Sequence, residues 1–162
     1  MKKLLIASLL STLSFTSSAN WEAGGGYLRM SDDVHGNSLD LDAIVGTVRY
    51  KFSTNEKFDW LVGFRYASGV GDEQFYGDPA ELKSFMSFDL RGQYTLNNNV
   101  YLFAQTSYAN VEAELGGETD DEWEFGAGAG LGYKFSPALG VEGGFESFDG
   151  TSVYTINLIG SF

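Results

Sequence analysis

The sequence predicts an all-β fold, an eight-stranded antiparallel up-and-down transmembrane β-barrel, and three observations lead to it. Apolar and polar residues alternate with a period of two in eight successive segments, which is typical of strands with two different faces. The 162 residues include 21 Gly, 2 Pro and 15% aromatic residues, and aromatic residues favour pleated surfaces. Short and long connections alternate along most of the chain, which indicates hairpins joined at two different ends.

The N-terminal segment is predicted to be a cleaved signal peptide. Lys2 and Lys3 give a charged start, a short apolar stretch follows, and small residues lead up to Ala19. This apolar stretch is too short for a spanning helix, and it lacks the polar face of an amphipathic one. The chain is thus divided into a signal peptide, residues 1–19, and one β-barrel domain, residues 20–162.

Strands one to four are predicted at residues 21–30, 41–52, 58–67 and 86–96. In the third strand Trp60 and Val62 lie on an apolar face, whereas Asp59 and Arg65 lie on the other. The same division holds in the other three segments. A tilted strand needs roughly 9–11 residues to cross a bilayer, so these segments are long enough to span one.

Strands five to eight are predicted at residues 100–108, 123–135, 139–146 and 153–162. In the fifth, Leu102 and Ala104 are assigned to the apolar face, although Tyr101 and Phe103 interrupt the alternation. The sixth strand sets aromatic and aliphatic residues against a row of glycines, which are Gly126, Gly128, Gly130 and Gly132. The last two strands continue the alternation to the end of the chain.

The predicted connections differ in length at the two ends of the strands. Short polar turns are predicted at residues 53–57, 97–99 and 136–137, and longer acidic, Gly-rich loops at about 31–38, 69–83 and 113–122. The last connection contains Asp149 and Gly150, and an Asp-Gly pair suits a tight hairpin. Bacterial barrels place their short turns in the periplasm, so both termini are expected there.

Alternation alone does not say whether the apolar face meets lipid, because a secreted soluble carrier shows the same period with its faces exchanged. The glycine row separates the two arrangements. Glycine covers nothing and weakens an exposed strand, so such a row has no use on a solvated exterior. In the cramped lumen of an eight-stranded barrel, small residues make room for large charged side chains opposite. The apolar face is therefore expected to meet lipid.

The polar face also carries near-balanced charge, which must pair if this face lines the lumen, since unpaired buried charge is costly. The predicted luminal ion-pair core consists of Glu22, Arg49, Lys51, Asp59, Arg65, Asp89, Arg91, Glu124, Lys134, Glu142 and Glu146. The opposite face carries no charge in its central stretch, where an Arg or Lys facing lipid costs roughly 2–4 kcal/mol.

Aromatic residues on the apolar face cluster toward both ends of the strands, as they do at membrane–water interfaces. One predicted girdle contains Trp21, Phe52, Phe58, Trp60, Tyr94, Tyr133, Phe135 and Phe162. The other contains Tyr27, Tyr66, Phe88, Tyr108, Trp123, Phe125 and Tyr154. A core-facing surface would carry aliphatic residues at these positions as often as rings.

The C-terminal strand ends in Phe162 and carries apolar or aromatic residues at alternate positions, Tyr154, Ile156 and Leu158. From residue 20 onward the chain resembles the small outer-membrane β-barrel superfamily, closest in size and plan to the OmpX/Ail type and the OmpA membrane domain. The resemblance implies that these four residues form the C-terminal signal for barrel insertion. Gly160 departs from the family, which usually has an aromatic residue there.

The resemblance also implies a location and partners. The protein is expected to be integral to the outer membrane of a Gram-negative bacterium, in contact with outer-membrane lipid and lipopolysaccharide. Periplasmic chaperones and the barrel-assembly machinery are its expected partners during biogenesis, and no cofactor is implied. The formal net charge of −12 argues against nucleic acid, which is bound through basic patches.

The function predicted from the sequence is a structural or surface-interaction role in the cell envelope without catalysis. The interior of an eight-stranded barrel is filled by side chains, so no wide channel is expected, and a narrow channel for small solutes or ions is one alternative. A lipid A-modifying enzyme is the other, because its chemistry could use His35, the chain's single His. A lone loop His lacks the nucleophile and orienting group of a catalytic triad.

The longer loops are acidic and suggest two further contacts. Carboxylate oxygens bind divalent cations, so Asp120, Asp121 and Glu122 are candidate metal ligands. The alternative is an acidic surface that only resists aggregation. Arg29 and Lys83 are predicted to contact lipopolysaccharide phosphate.

Overall fold

The computed structural model describes residues 20–34, 37–71, 73–75, 78–115 and 117–162. The predicted signal peptide and His35 lie outside these residues. The strands are β1 (Trp21–Val34), β2 (Asn37–Thr54), β3 (Phe58–Gly69), β4 (Glu73–Phe75), β5 (Asp78–Thr95), β6 (Val100–Leu115), β7 (Glu118–Ser136), β8 (Leu139–Ser147) and β9 (Thr151–Ser161). Within the described ranges there is no helix that is both long and apolar enough to cross a membrane.

Eight of these strands form a closed antiparallel barrel, which confirms the predicted fold. Each strand pairs with the next one in sequence, except that β3 pairs with β5 instead of with the short β4, and β9 pairs with β1 to close the ring. The three-residue β4 pairs only with β5 and forms a small hairpin at the rim, inside the segment predicted to be a loop. Closure leaves no open edge along the middle of the barrel wall.

The two ends of the barrel differ, and we name them by their connections. The turn end carries the short connections 55–57, 96–99 and 137–138, and also the meeting point of the first and last strands. There the Trp21 amide donates to the Phe162 carbonyl (3.0 Å), and the Phe162 amide donates to Trp21 in return (2.9 Å). The opposite end is the loop end.

The segments predicted to be long loops are largely strand, and this corrects the predicted boundaries. The β1–β2 ladder continues to the pair Val34 and Asn37, and the β6–β7 ladder continues to Leu115 and Glu118. The barrel wall therefore rises well past the second predicted aromatic girdle, the one that begins with Tyr27, which we call the loop-end girdle. The physical reason is that, beyond this girdle, the apolar residues of the strands face the interior of the barrel instead of its outside.

The outward face is the apolar face, as predicted. The ambiguous strand, β6, follows the same rule, because Leu102 is 44% exposed while Tyr101 and Phe103 are only 4% and 8% exposed. The exposed rings form contacting pairs on the outer surface, among them Trp21 with Tyr50 at 4.9 Å between ring centroids.

Candidate functional site

The barrel interior has two regions with different chemistry. Toward the turn end and through the middle, buried charged and aromatic side chains fill it, and we call this region the ionic interior. Toward the loop end a buried hydrophobic cluster fills it, and we call this region the apolar plug. The plug consists of Leu28, Met30, Leu41, Ala43, Val45, Ala67, Ala80, Leu82, Phe85, Ala109, Phe148 and Val153.

Glu142 is the centre of the first network of the ionic interior. Arg91 donates to both of its carboxylate oxygens, at 2.7 and 3.0 Å, and Arg49 donates to one of them at 2.9 Å. The Tyr101 hydroxyl donates to the same carboxylate at 2.7 Å, and Glu22 lies 3.7 Å from Arg49. Because all five side chains are buried, each charge here depends on its partners for solvation.

Arg65 is the centre of a second network in the middle of the barrel. It donates to both oxygens of Asp89, at 2.8 and 2.9 Å, and forms an ion pair with Glu146. The hydroxyls of Ser87 and Ser107 also accept from this guanidinium, each at 3.0 Å. One cation is thus held by two carboxylates from strands on different sides of the barrel.

The other four residues predicted for the ion-pair core differ in outcome. Lys51 pairs with Asp59 at 3.1 Å. Lys134 lies with its ammonium 5.5 Å from the centroid of the Tyr101 ring instead of beside a carboxylate. Within the described part of the chain neither Lys134 nor Glu124 has an ion-pair partner, so the structure does not place them in the networks. Glu124 lies near the loop end, away from the buried cations.

The glycine row of β7 gives space to large side chains, but mostly to rings instead of charges. A Cβ atom at these glycines would lie 2.1–2.5 Å from its nearest neighbour. The neighbouring side chains are Phe148 at Gly126, Glu146 at Gly128, Phe103 at Gly130 and Tyr101 at Gly132. Phe103 in turn contacts the Arg91 guanidinium, whose carbon lies 3.5 Å from the ring centroid. The lumen is therefore crossed by aromatic rings as well as by ion pairs.

The apolar plug begins directly above the second network. The Arg65 guanidinium lies 5.5 Å from the centroid of Phe85, and Phe85 packs edge-on against Phe148 at 6.1 Å. Sequence reasoning did not predict this cluster. A signal was present in β2, where Leu41 and Ala43 alternate with Asp40 and Asp42.

The faces of the strands exchange chemistry at the base of the plug. Lower in β2, the apolar Val48 points outward and Arg49 points inward. Higher in the same strand Leu41 and Ala43 are buried inside, while Asp40 and Asp42, which alternate with them, point outward. Apolar residues outside suit contact with lipid, whereas apolar residues inside suit a wall that stands in water. The exchange thus marks the level at which the wall leaves the membrane.

The candidate metal ligands do not converge. Asp120, Asp121 and Glu122 are consecutive residues of β7, so their side chains point alternately to opposite faces. The Asp121 amide donates to the Asp120 carboxylate at 3.0 Å, and the Asn110 side chain donates to Asp121 at 3.4 Å. In the described ranges no group of at least three His, Cys, Asp or Glu residues is arranged to hold a metal.

The two cations predicted to contact lipopolysaccharide already have carboxylate partners. Arg29 donates to both oxygens of Asp42, at 2.7 and 3.0 Å. Lys83 lies 2.8 Å from Glu81 and 2.9 Å from Glu114, and its hydrogen bonds to these two carboxylates raise the pKa of Lys83. A phosphate would have to compete with these carboxylates.

Comparison with known proteins agrees with this architecture. The structure of Ail from Yersinia pestis, determined with a heparin analogue, has a TM-score of 0.58 and 18% identity, covering 87% of this chain and 96% of Ail. Neisserial surface protein A (NspA) has a TM-score of 0.61 and 12% identity, covering 91% of this chain and 100% of NspA. A de novo designed transmembrane β-barrel has a TM-score of 0.55 and 11% identity, covering 91% of this chain and 100% of the design. At these identities the likeness concerns the fold alone.

No curated protein sequence matches the chain. The sequence model of the outer membrane protein β-barrel domain matches residues 4–159, which is nearly the whole chain. The chain therefore belongs to the outer membrane protein β-barrel domain family, and its place is the outer membrane of a Gram-negative bacterium.

Proposed function

We propose that this protein is a closed, non-catalytic barrel that carries a rigid β-sheet wall at the cell surface, with a structural or surface-interaction role in the envelope. The observation that carries this proposal is the filled interior. The ionic interior and the apolar plug together occupy the barrel from the turn end to the loop end. Such a barrel offers no continuous aqueous path and holds its protruding wall through a packed core.

The filled interior also weighs against the narrow channel. An ion passing the plug would cross a layer lined by Leu82, Phe85 and Phe148, whose side chains cannot replace the water that the ion loses. An ion passing the ionic interior would have to separate Glu142 from its guanidinium partners. Both barriers lie in series on the same axis.

Conductance in planar bilayers tests this proposal. We expect no steady single-channel current from purified protein, because both layers block the lumen. Insertion is checked independently by quenching the fluorescence of the 3 Trp residues with brominated lipid. Steady unitary currents from inserted protein would overturn the closed-barrel proposal in favour of the channel.

A lipid A-modifying enzyme, the other alternative function, would depend on His35, and analysis of lipid A tests it independently of conductance. We expect lipid A from cells that produce the His35→Ala variant to match lipid A from wild-type cells by mass spectrometry. A mass difference that needs His35 would establish catalysis. The presence of folded barrel in both strains is checked by heat-dependent gel mobility.

We also propose that the loop end faces the medium and that both ends of the chain lie in the periplasm. The exchange of faces near the loop end supports this, because only that end continues past its girdle. The chain has no Cys, so single cysteines label uniquely. We expect Thr119→Cys to react with a membrane-impermeant maleimide in intact cells and Asn98→Cys to react only after lysis. The reverse pattern would invert the orientation.

Lipopolysaccharide is the proposed lipid partner at this level of the wall. Arg29 lies on the outward face near the loop-end girdle, and its pairing with Asp42 fixes the guanidinium there. The matched variants Arg29→Gln and Asp42→Asn remove opposite charges from one ion pair. We expect only Arg29→Gln to weaken co-purification of lipopolysaccharide, and equal effects would favour a purely structural pair.

A further inference from the structure

The loop-end half of β7 has a neighbour on one side only. β6 pairs with β7 from Glu118 onward, but β8 pairs with β7 only from Ala127 onward. Residues 118–126 therefore form a free strand edge in the part of the chain that the structure describes, and we name them the β7 edge. At about 3.3 Å per residue, this edge is about 30 Å long.

The edge is open because the β8–β9 hairpin is short. That hairpin turns at residues 148–150, with Gly150 at a φ of 91°. Phe148 points into the barrel and completes the apolar plug beneath the opening. The plug is therefore closed at this point although the wall beside it is incomplete.

The barrel covers its other extended strand. β2 also continues past its pairing with β3, which begins at Ala43 and Gly69. There the β4–β5 hairpin lies against β2. The β7 edge has no such cover among the described residues, so its backbone groups are the accessible ones.

The backbone of the β7 edge presents groups that could extend a ladder. Alternate residues of an edge strand direct their N–H and C=O groups away from their one partner. Lys134 of β7 donates its amide to the carbonyl of Asn99, the residue before β6, at 2.7 Å, and the β6–β7 register is uninterrupted, so even-numbered amides of β7 face β6 and odd-numbered ones face away. The Asp121 amide therefore lies on the free side, where it donates to the neighbouring Asp120 carboxylate at 3.0 Å. An added strand would replace this local hydrogen bond with a ladder bond.

The negative charge around the β7 edge favours a basic strand as its binding partner. Asp120, Asp121, Glu122 and Glu124 lie along it, and Asp149 lies on the hairpin beside it. Like charges facing each other across a ladder are unfavourable, so a second copy of this edge is a poor partner. A strand with Lys or Arg at alternate positions would instead meet a carboxylate at each step.

We propose that the β7 edge binds an extended, Lys- or Arg-rich segment of another polypeptide by strand addition. The proposal rests on the surface-interaction role proposed above and names the partner class for it. Main-chain hydrogen bonds to the free edge would give the complex its geometry, and the flanking carboxylates would give it its charge preference.

The test uses the full barrel in nanodiscs and a labelled peptide of alternating Lys and Val. A second peptide has Pro in place of each Val, which keeps the charge and prevents ladder bonds. We expect binding of the first peptide, roughly tenfold weaker binding of the second, and slowed hydrogen exchange at residues 118–126 in the complex. Equal binding of the two peptides would overturn the proposal, because it would mean attraction by charge alone.

Two variants separate backbone from charge at the edge. Asp121→Pro removes an edge N–H that makes no bond to β6, and we expect it to weaken binding roughly tenfold. Asp120→Asn/Glu122→Gln should weaken binding by a similar factor, whereas Glu112→Gln/Glu114→Gln, the same charge change on a strand paired on both sides, should do so less. Heat-dependent gel mobility checks that each variant is folded.

Unchanged affinity in both edge variants, or binding without exchange protection at residues 118–126, would overturn the edge assignment. Single-channel conductance would instead contradict the proposed closed-barrel role, and it would not change the result of the peptide-binding experiment. The two failures are therefore distinguishable.

Discussion

The ionic interior and the apolar plug fill one barrel by opposite means. In the first, Glu142 and Arg65 stand at the centre of buried networks, and the wall around them is apolar on its outside. In the second, residues such as Leu82 and Phe85 pack together, and the wall around them carries acidic residues on its outside. The surroundings of the wall therefore determine which side chains fill the interior: where lipid covers the outside the inward face is charged, and where water covers it the inward face is apolar.

The ionic interior should be the more sensitive region to loss of one partner. Glu142→Ala leaves Arg49 and Arg91 buried without their shared carboxylate, and we expect it to lower the free energy of unfolding by roughly 3–5 kcal/mol. Urea titration of protein in lipid vesicles, followed by tryptophan fluorescence, measures this. Glu22→Gln is the control, because Glu22 is 3.7 Å from Arg49 and should contribute less. Equal losses would show that Glu142 is not the centre of the network.

The apolar plug should respond to lost volume. Leu82 is fully buried in it, and Leu82→Ala is expected to lower the free energy of unfolding by about 3 kcal/mol through lost transfer energy and a cavity. Leu82→Met keeps the volume and should cost less than about 1.5 kcal/mol. The same urea titration measures both variants. A plug that tolerates alanine as well as methionine would not be a packed core.

The glycine row allows the same comparison for added volume. Gly132→Ala would place a Cβ atom 2.1 Å from the Tyr101 ring, so we expect a loss of roughly 1–3 kcal/mol. Gly143→Ala is the matched change on the outward face, where the nearest atom lies 4.0 Å away. We expect no measurable effect there. If both variants unfold at the same urea concentration, the row does not serve to admit rings.

The smallest effect is expected for an ion pair outside the barrel. Lys83 has two carboxylate partners, as Arg65 does, but its side chain is partly exposed on the rim. Solvent and salt screen such pairs, so Lys83→Met should leave the urea midpoint unchanged within error. Any exposed Lys is charged at neutral pH, and the carboxylates beside Lys83 raise its pKa further, so the absence of an effect would reflect screening. A large loss would mean that the rim depends on charge as the interior does.

The outward face, the strand number and most of the ion-pair residues could be predicted from alternation, because lipid imposes one rule on every strand. Partners could not be predicted, since Arg65 of β3 meets Glu146 of β8 across the lumen, and these two strands do not pair with each other. Lys134 and Glu124 share the polar face, yet they lie near the two ends of the barrel, where carboxylates and cations are not opposite them. Alternation predicts the face on which a residue lies, but it does not predict how far along the barrel axis the residue lies.

The extension of the strands beyond the loop-end girdle could not be predicted for a different reason. A bulge between Leu82 and Ser84 in β5 shifts the alternation by one residue, so Ala80 and Leu82 point inward in a different phase from Ser87 and Asp89. Together with the exchange of faces, this explains why residues 78–83, which belong to β5, were predicted to be part of a loop. Apolar and polar residues do alternate in this segment, but the apolar residues change to the inward face where the surroundings of the wall change from lipid to water.

The hydrogen bonds between Trp21 and Phe162 place the start of the first strand against the end of the last. All the remaining ladders of the ring join strands that are close in sequence, including β3 and β5 on either side of β4, so this seam alone joins opposite ends of the polypeptide. Loop-closure entropy makes such a contact the slowest kind to form. The same adjacency means that joining these ends and reopening the chain in the 96–99 turn would preserve every ladder, so the ring has no obligatory first strand.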